Sequence, residues 1–350
     1  MNRHDHHLDE QFMRRAQELA LMGIGHVSPN PLVGCLVVHN KRILGEGWHK
    51  RFGEAHAEVN ALNAVAGRSL LKESTVYVNL EPCAHFGKTP PCADLLIKHN
   101  VRRVVISNVD PNPLVDGGGI RKLREAGIEV VSGILEQEGR VLNKRFFTAM
   151  EKHRPYLILK WAQTADGFIA KENYSSKWIS NEHSRKLVHK WRSEEDAVLV
   201  GTKTVFHDNP KLNVREWSGR NPTRIVIDRF LKLSTKLQVF DRLQPTLVYN
   251  VLKHEEHDNL VLVRIDEQNF LNDLVADLNK RNIQSVLVEG GAHTLQYFID
   301  AGLWDEARVF ISGHTFGRGI RSPQFHGKLI SCEPVLSDTL TIYKPVHGKS

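Results

Sequence analysis

The pattern of apolar and polar positions divides the chain into alternating short helices and strands. Apolar residues recur every three or four positions from Leu8 to Met22, which is helical spacing, and Gly23 and Gly25 end that helix. Further on, apolar runs and period-two alternation predict strands at 33–38, 43–48, 75–80, 101–107 and 128–132. Helices are predicted at 56–66, 92–99, 119–126 and 136–150. This order predicts one sheet with helices packed on it.

A charged stretch that ends at Pro155 marks a boundary between two halves of the chain. Beyond it, strands are predicted at 156–162, 197–201, 224–228, 246–249, 285–289 and 307–311, and helices at 182–191, 269–280 and 292–301. Both halves have the alternation that is typical of an α/β protein. We predict two domains, residues 1–150 and residues 151–350.

Composition and charge limit the classes of molecule that the chain is expected to bind. Its 350 residues are 41% hydrophobic and 25% charged, as in an ordinary globular protein, and no apolar run approaches the ~20 residues that span a bilayer. The formal net charge is +7, yet Lys and Arg are scattered and form no single stripe. We expect no membrane and no nucleic acid as partner, and attraction to phosphorylated small molecules instead. A homo-oligomer is also expected.

One group of residues carries the chemistry of the first half: His56, Glu58, Cys83 and Cys92. One imidazole and two thiolates hold a zinc ion tetrahedrally and leave the fourth position to water, as in catalytic zinc sites. Zinc makes hydroxide available from that water near neutral pH. Glu58 is placed to move the protons that attack on an amino-bearing ring carbon requires. We predict one Zn²⁺ per chain, with Glu58 as the catalytic residue.

Two alternatives give the same residues no catalytic role. A structural zinc site would need a fourth ligand near the other three and has no use for Glu58. A disulfide between Cys83 and Cys92 is disfavoured because the sequence shows no signal peptide and the other cysteines, Cys35 and Cys332, lie far away. The four cysteines fit a reducing cytoplasm, where we expect the protein to reside.

The spacing of these residues carries a resemblance. The His-x-Glu segment, with Pro-Cys and a further cysteine downstream, is similar to the cytidine-deaminase-like superfamily. Many nucleobase deaminases have two residues between the cysteines, whereas eight lie between Cys83 and Cys92. That insertion, the Ser-Pro-Asn-Pro and Asp-Pro-Asn-Pro runs, and the segments at 55–62, 160–167, 176–180, 201–205, 208–215 and 288–291 closely resemble the bifunctional riboflavin-biosynthesis deaminase/reductase family.

The resemblance implies an α/β architecture in which a cytidine-deaminase-like three-layer domain precedes a dihydrofolate-reductase-like domain. It also implies two activities. The first is zinc-dependent hydrolytic deamination of 2,5-diamino-6-(ribosylamino)-4(3H)-pyrimidinone 5'-phosphate. The second is NADPH-dependent reduction of the ribosyl group to ribityl, which gives 5-amino-6-(ribitylamino)uracil 5'-phosphate.

The same resemblance implies the contacts of each ligand. The substrate of the first domain would contact Asn30, His49, His85, Lys88 and Asn112. In the second domain, NADPH would contact Ala162, Trp178, Thr204, Asp208, Gly291, Ala292, His293, Thr294, Leu295, Gln296 and Tyr297. The ribosyl phosphate would lie among Lys160, Ser176, Arg192, Leu212, Arg215 and Glu289.

Several of these residues also have purely structural interpretations. Asparagines beside proline form turns in their own right, surface ion pairs are the usual fate of arginine, and Trp178 could belong to the core. The pair Gly290-Gly291 before a predicted helix could bind a pyrophosphate, although glycine pairs are common and no Gly-x-Gly-x-x-Gly run occurs. The chain departs from the family pattern at Thr164-Ala165 and at 314–319, which concern the distal cofactor pocket.

Two further hypotheses are alternatives to the predicted deaminase/reductase function. One is a deaminase acting on flipped or single-stranded bases, with the second half as an RNA-binding module. The long cysteine insertion and the absence of a basic stripe count against it. The other is a zinc-stabilised binding protein without activity, against which the presence of Glu58 argues.

Overall fold

The computed structural model describes residues 3–84, 90–112, 117–174 and 179–346, with side chains from residue 6 onward. The chain divides into two compact units, Met1–His153 and Arg154–Ser350. The boundary falls in the charged stretch that precedes Pro155. No helix of the described residues has the length and apolar character needed to cross a membrane.

The first unit is built on a five-stranded sheet. Its strands are β1 Gly34–His39, β2 Arg42–Trp48, β3 Thr75–Leu80, β4 Arg103–Asn108 and β5 Glu129–Ser132. Its helices are α1 Arg3–Leu21, α2 Ala57–Asn63, α3 Cys92–Lys98, α4 Gly118–Glu125, α5 Glu136–Leu142 and α6 Lys144–Lys152, with a 3₁₀ turn at Arg68–Glu73. The sheet order is β2-β1-β3-β4-β5, in which β1 runs antiparallel to both neighbours and β3, β4 and β5 are parallel.

Alternating side chains direct the two faces of this sheet into separate apolar cores. On one face, Leu36 packs with Met13 of α1. On the other face, Val104 packs with Ala61 of α2 and Leu96 of α3. The sheet therefore lies between two helical layers, and the predicted three-layer arrangement is confirmed.

Gly47 brings β2 into direct contact with the helix that follows His56. A Cβ at this position would lie 2.3 Å from Ala61 N and 2.6 Å from Ala57 O, so a larger residue would push the helix away. Asn60 of the same helix donates from Nδ2 to Trp48 O at 2.8 Å. Backbone contact thus fixes α2 against β2, and with it the position of His56.

The single helix predicted at 136–150 is wrong, because the structure divides it into α5 and α6 at Asn143. The Asn143 side chain accepts from Leu32 N at 2.8 Å and donates to Leu32 O at 2.9 Å. Asn79 accepts from Gly34 N at 2.7 Å and donates to Leu32 O at 2.9 Å. These buried amides hold the segment at 28–34, and apolar periodicity gives no sign of such contacts.

The second unit is built on a ten-stranded sheet. Its strands are β6 Tyr156–Gln163, β7 Phe168–Ala170, β8 Ala197–Gly201, β9 Thr223–Ile227, β10 Thr246–Asn250, β11 Glu255–His257, β12 Leu260–Arg264, β13 Ser285–Val288, β14 Glu306–Ser312, β15 Ile320–Arg321, β16 Gly327–Val335 and β17 Asp338–Pro345. Its helices are α7 Glu182–Glu194, α8 Thr202–Asp208, α9 Phe270–Lys280 and α10 Ala292–Asp300, with a 3₁₀ turn at Gln238–Phe240. The sheet order is β11-β12-β10-β9-β8-β13-β6-β14-β17-β16, and β7 pairs separately with β15.

The strands from β12 to β14 in this order are all parallel, and antiparallel strands complete both edges. Helices α9 and α10 cover one face, and α7 and α8 cover the other. The carboxyl ends of β8, β13 and β6 meet at one edge of the sheet. In open α/β sheets, ligands bind at such an edge.

The sequence patterns missed helix α8 and the strands β7, β11, β12, β15, β16 and β17. Several of these are short, and β16 at the sheet edge is largely exposed. Edge strands of this kind lack the apolar alternation on which strand prediction depends. The strands that were predicted are those in the middle of the sheet, where both faces are buried.

Candidate active sites

Two helix starts and the segment after β3 bring three metal-ligand side chains together in the first unit. His56 is the residue immediately before α2, and Cys92 is the first residue of α3. His56 Nδ1 lies 3.3 Å from Cys92 Sγ and 3.7 Å from Cys83 Sγ. The three ligand atoms all lie within 4.8 Å of one another. The fold thus brings Cys83 and Cys92, which lie 27 and 36 positions after His56 in the sequence, around a single point.

The surroundings of Cys83 favour its thiolate form, which is the form that binds metal. The Cys92 thiol, the His56 imidazole and Cys92 N all hydrogen-bond to Cys83 Sγ, and the last of these distances is 3.3 Å. These contacts, led by the one from the Cys92 thiol, lower the pKa of Cys83 to about 4 despite its burial. Cys83 is therefore a thiolate at neutral pH and can bind a cation.

Glu58 lies in the first turn of α2 and is only 3% exposed. Burial, reinforced by the nearby Cys83 thiolate, raises the pKa of Glu58 to about 7. Its Oε2 atom has no hydrogen-bond partner. Buried polar atoms without a partner are rare and mark places where a ligand, a water or a proton is to be received.

These observations decide between the alternatives for the group. The structure holds all four cysteines as free thiols, so Cys83 and Cys92 form no disulfide. Among the described residues, the group contains His56, Cys83 and Cys92 and no fourth ligand. One nitrogen and two sulfurs fit zinc with one open position, and the unpartnered Glu58 oxygen fits a catalytic role beside it.

His49 and Asn30, two predicted substrate contacts, are joined next to this group. Asn30 Nδ2 donates to His49 Nε2 at 3.1 Å, and His49 Nδ1 donates to Ala55 O at 3.1 Å. The His49 ring meets that of His56 edge to face, with centroids 5.6 Å apart. Burial, with a smaller contribution from His56, lowers the pKa of His49. His49 is therefore neutral at pH 7, and its ring orientation is determined from both sides.

In the second unit, predicted substrate contacts meet at the carboxyl ends of β6 and β13. Leu159 pairs with Val288, so Lys160 lies level with Glu289. Arg192 of α7 donates to both Glu289 oxygens, at 2.7 and 2.8 Å. Burial lowers the pKa of Lys160, an effect that Arg192 reinforces and Glu289 opposes. Two cations and one carboxylate thus form a largely buried group with a net positive charge.

Glycines at the end of β8 and after β13 allow the predicted cofactor contacts to lie close together. A Cβ on Gly290 would lie 2.6 Å from Gly201 N, and a Cβ on Gly201 would lie 2.1 Å from Thr294 Oγ1. Gly291 has a φ of +26° and precedes α10, whose first turn receives no side-chain cap. A Cβ there would lie 3.0 Å from Thr204 Oγ1. An uncapped helix start beside so little side-chain volume fits a phosphate group.

The other predicted cofactor contacts have varied surroundings. Leu295 is 1% exposed in the apolar core, and Tyr297 Oη accepts from Arg229 Nη2 at 2.6 Å. Gln296 bonds to the backbone of Gln324. Along α10, Ala292 is half-buried and His293 is exposed, while Asp208 is exposed at the end of α8 and Ala162 is half-buried on β6. Only part of this helix faces Gly201.

The remaining predicted substrate contacts lie on the segment after α8. Leu212 is 2% exposed, whereas the Arg215 side chain is 53% exposed and lies 3.5 Å from Glu216.

In the first unit, Asn112 N donates to Asp110 Oδ1 at 2.9 Å. His85, Lys88, Ser176 and Trp178 lie outside the described residues.

Comparison with known proteins follows the same division into two units. The family model of the cytidine and deoxycytidylate deaminase zinc-binding region matches residues 6–108. The family model of the RibD C-terminal domain matches residues 155–340. Riboflavin biosynthesis protein RibD of Aquifex aeolicus is 42% identical over 319 residues, which cover 89% of this chain and 89% of that protein.

The chain belongs to the RibD family.

RibD of Escherichia coli (strain K12) is 37% identical over 343 residues, covering 89% of this chain and 90% of that protein. A crystal structure from Thermotoga maritima, of a diaminohydroxyphosphoribosylaminopyrimidine deaminase/5-amino-6-(5-phosphoribosylamino)uracil reductase, is 39% identical with a TM-score of 0.90. It covers 98% of this chain and 100% of that chain. As a member of the RibD family, the protein is an enzyme of riboflavin biosynthesis with a zinc-binding deaminase domain and a reductase domain. The predicted family, fold class and pair of activities are confirmed.

The sequence patterns missed Glu81, a buried residue that holds the backbone around the candidate RibD deaminase site. Glu81 is 4% exposed, and its carboxylate accepts from Asp110 N at 3.2 Å, Gly117 N at 3.1 Å and Ile120 N at 3.0 Å. It thereby ties the start of α4 and the segment before Asn112 to the strand that leads into Cys83. Its position in the Glu-Pro-Cys run was the available signal.

The late RibD segment that departs from the family pattern is also held by a side chain. Asp166 accepts from Phe316 N at 3.0 Å and from Gly317 N at 2.7 Å. Thr164 Oγ1 donates to Asp166 Oδ1 at 2.5 Å. The Thr164 hydroxyl therefore orients Asp166, and Asp166 holds residues 316 and 317 of the late segment against the turn after β6.

Proposed function

We propose that the chain converts 2,5-diamino-6-(ribosylamino)-4(3H)-pyrimidinone 5'-phosphate to 5-amino-6-(ribitylamino)uracil 5'-phosphate in two steps. Residues 1–150 would carry out the deamination, and residues 151–350 the reduction. The Thermotoga maritima protein, which is similar over nearly the whole chain, is a deaminase and reductase of this chemistry. The observation that carries the proposal is the buried carboxyl group of Glu58, with its Oε2 atom unpartnered, beside His56, Cys83 and Cys92.

In the deamination, His56, Cys83 and Cys92 would hold the zinc ion. When bound, zinc lowers the pKa of water and supplies a nucleophile near neutral pH. Glu58 takes the proton that water loses as its oxygen adds to the ring carbon. The same carboxyl group then gives a proton to the amino nitrogen, which leaves as ammonia. A carboxyl group placed beside the reacting atoms can act in this way first as general base and then as general acid.

Neutral His49 and Asn30 would orient the pyrimidinone ring. Because His49 donates to Ala55 O and accepts from Asn30, neither ring nor amide rotates freely. Preset donors and acceptors position a bound ring without further loss of side-chain freedom. His85, Lys88 and Asn112 complete the proposed contacts, with Lys88 toward the phosphate.

In the reduction, the chain's main task is to align two ligands. When bound, NADPH supplies the hydride that reduces the ribosyl carbon. The uncapped start of α10, with Gly291, would receive a cofactor phosphate, and Thr204, Asp208, Ala162 and Trp178 would line the rest of that site. Lys160 and Arg192 would attract the substrate phosphate, with Ser176, Leu212, Arg215 and Glu289 around the sugar. The Arg192 nitrogens already donate to Glu289 and to Asn213 O, so Arg192 would act on the phosphate chiefly through its charge.

A coupled assay tests the proposal. We expect ammonia release from the diamino-pyrimidinone phosphate, followed in the same sample by NADPH consumption. The order matters, since reduction without prior ammonia release would contradict the proposed sequence of steps. Ammonia release from single-stranded RNA, with none from the pyrimidinone phosphate, would instead favour a nucleic-acid deaminase.

We also propose that the protein acts in the cytoplasm as a homo-oligomer, without nucleic acid or membrane. Four free thiols, two of which are needed as metal ligands, are compatible with a reducing compartment. Light scattering after gel filtration measures the assembly directly. A mass equal to one chain across the accessible concentration range would overturn the oligomer.

A further inference from the structure

Residues 211–215 form a segment without regular secondary structure whose backbone is nevertheless fixed by side chains. Three consecutive carbonyl oxygens each accept a hydrogen bond. Lys211 O accepts from Arg224 Nε at 3.0 Å, Leu212 O from Gln244 Nε2 at 3.3 Å, and Asn213 O from Arg192 Nη1 at 3.1 Å. The three donors come from different parts of the fold, so hydrogen bonds from several directions hold this backbone in place.

The amide groups that follow are held in the same way. Val214 N donates to Asn221 Oδ1 at 2.8 Å, and Arg215 N donates to His189 Nδ1 at 3.5 Å. Leu212, a non-glycine residue, has a φ of +53°. A residue in the left-handed region persists only where its surroundings impose it, and such positions concentrate at functional sites. The segment is therefore a rigid surface.

One polar atom of this surface has no partner. Asn213 Oδ1 is closed to water and accepts no hydrogen bond, which distinguishes it from the fixed backbone groups around it. A buried acceptor without a donor destabilises the folded protein, so its presence calls for an explanation. Among the described residues, three other buried side-chain atoms also lack a hydrogen-bond partner: Glu58 Oε2 of the deaminase site, His39 Nδ1 and Arg220 Nε.

The neighbours of Asn213 identify the kind of ligand. Arg192, which donates to its carbonyl, also holds Glu289 beside Lys160. These cations suit the phosphate of the substrate. The Asn213 oxygen does not, because it accepts hydrogen bonds and a phosphate at neutral pH has few hydrogen-bond donors. The Asn213 acceptor suits a hydroxyl or N–H group. The residue as a whole is partly exposed, so rotation about its terminal torsion can present the oxygen to a ligand.

We propose that Asn213 Oδ1 accepts a hydrogen bond from a hydroxyl group of the ribosyl part of the reductase substrate. The inference rests on the proposed function and adds to it a contact that selects the sugar and not the phosphate. Arg192, Gln244 and His189 act as positioning residues for this contact, because they hold the backbone on either side of it.

Calorimetric titration of the full chain with ribose 5-phosphate and with inorganic phosphate tests the inference. Asn213→Ala removes the acceptor and keeps the backbone carbonyl that Arg192 binds. We expect ribose 5-phosphate to bind about 3- to 10-fold more weakly, as for one lost hydrogen bond, and inorganic phosphate to bind as in the wild type. Asn272→Ala, on the exposed surface of α9, is the matched control and changes neither titration.

The same variant is assayed with the deaminated substrate. We expect the KM for that substrate to rise by a similar factor, while kcat, the KM for NADPH and the thermal midpoint change little. Equal weakening of both ligands, or no weakening of ribose 5-phosphate, would overturn the inference. A fall in thermal midpoint with unchanged binding would overturn it too, since that pattern marks a structural role. Absence of reductase activity in the wild type would contradict the proposed function instead, and the titrations would still decide the role of Asn213.

Discussion

The two units place their chemistry in the fold in different ways. In the first, the proposed reaction depends on one histidine, one glutamate and one cysteine at two helix starts and on a second cysteine after β3, and each has few substitutes. In the second, the proposed site draws on charges and glycines from the ends of three strands and from α7, and each residue type is common elsewhere in proteins. The comparison teaches that site residues of chemically distinctive types can be predicted from the sequence. Site residues of common types can be recognised only once the folded sheet shows which of them lie together.

Removal of the metal should have the largest effect and tests whether the two sites work independently. Treatment with a zinc chelator should abolish ammonia release and leave NADPH-dependent reduction of supplied deaminated substrate unchanged, since the predicted ligands all belong to the first unit. Metal analysis should show one zinc per chain before treatment, and added zinc should restore deamination. Loss of both activities together would mean that the two sites do not work independently.

Glu58→Gln should have the next largest effect. The amide keeps the size of the side chain but cannot shuttle protons, so deamination should fall by about 100- to 10,000-fold. Zinc content and reduction of supplied deaminated substrate should be unchanged. Glu73→Gln, on the exposed surface of the same unit, is the control. We would abandon the two-site description if Glu58→Gln also lost reduction.

The charged group of the second unit gives a prediction about stability as well as activity. Arg192→Met leaves Glu289 buried without its bidentate partner, which should lower the free energy of unfolding by about 3–5 kcal/mol and raise the KM for the reductase substrate. Denaturant unfolding measures the first effect, and steady-state kinetics the second. Deamination serves as the internal control.

The double variant Arg192→Met/Glu289→Leu sharpens the same test. Removing both charges should recover most of the lost stability while the KM stays high, because the pair is retained for its ligand and contributes little net stability. A double variant no more stable than Arg192→Met alone would contradict this account.

The smallest expected effect concerns the glycines of the second unit. A Cβ on Gly290 would lie 2.6 Å from Gly201 N, so Gly290→Ala should cost about 1–3 kcal/mol of stability and raise the KM for NADPH. Gly313→Ala is the matched control, because a Cβ there meets nothing within 4 Å. Equal behaviour of the two variants would show that the close approach of β13 and β8 is unimportant for the cofactor.

The sequence predicted most of the central strands and the zinc ligands because both depend on local information. Buried strands have continuous apolar runs, and His56 and Glu58 stand two residues apart. The break at Asn143 and the contacts of Glu81 were missed for the opposite reason. Asn143 bonds to Leu32, 111 positions earlier, and Glu81 bonds to amides 29 to 39 positions later. No pattern of neighbouring residues announces such partners.

By itself, the sequence determined the α/β class, the chemistry of His56, Glu58, Cys83 and Cys92, and the family. These follow from periodicity and from residue types with few alternative uses. Only the tertiary structure decided that Glu58 is buried with an unpartnered oxygen, that Arg192 is held against Glu289, and that Asn213 lies on a segment fixed from several directions. Burial and hydrogen-bond satisfaction are properties of the whole packed unit, because residues distant along the chain supply both the cover and the partners.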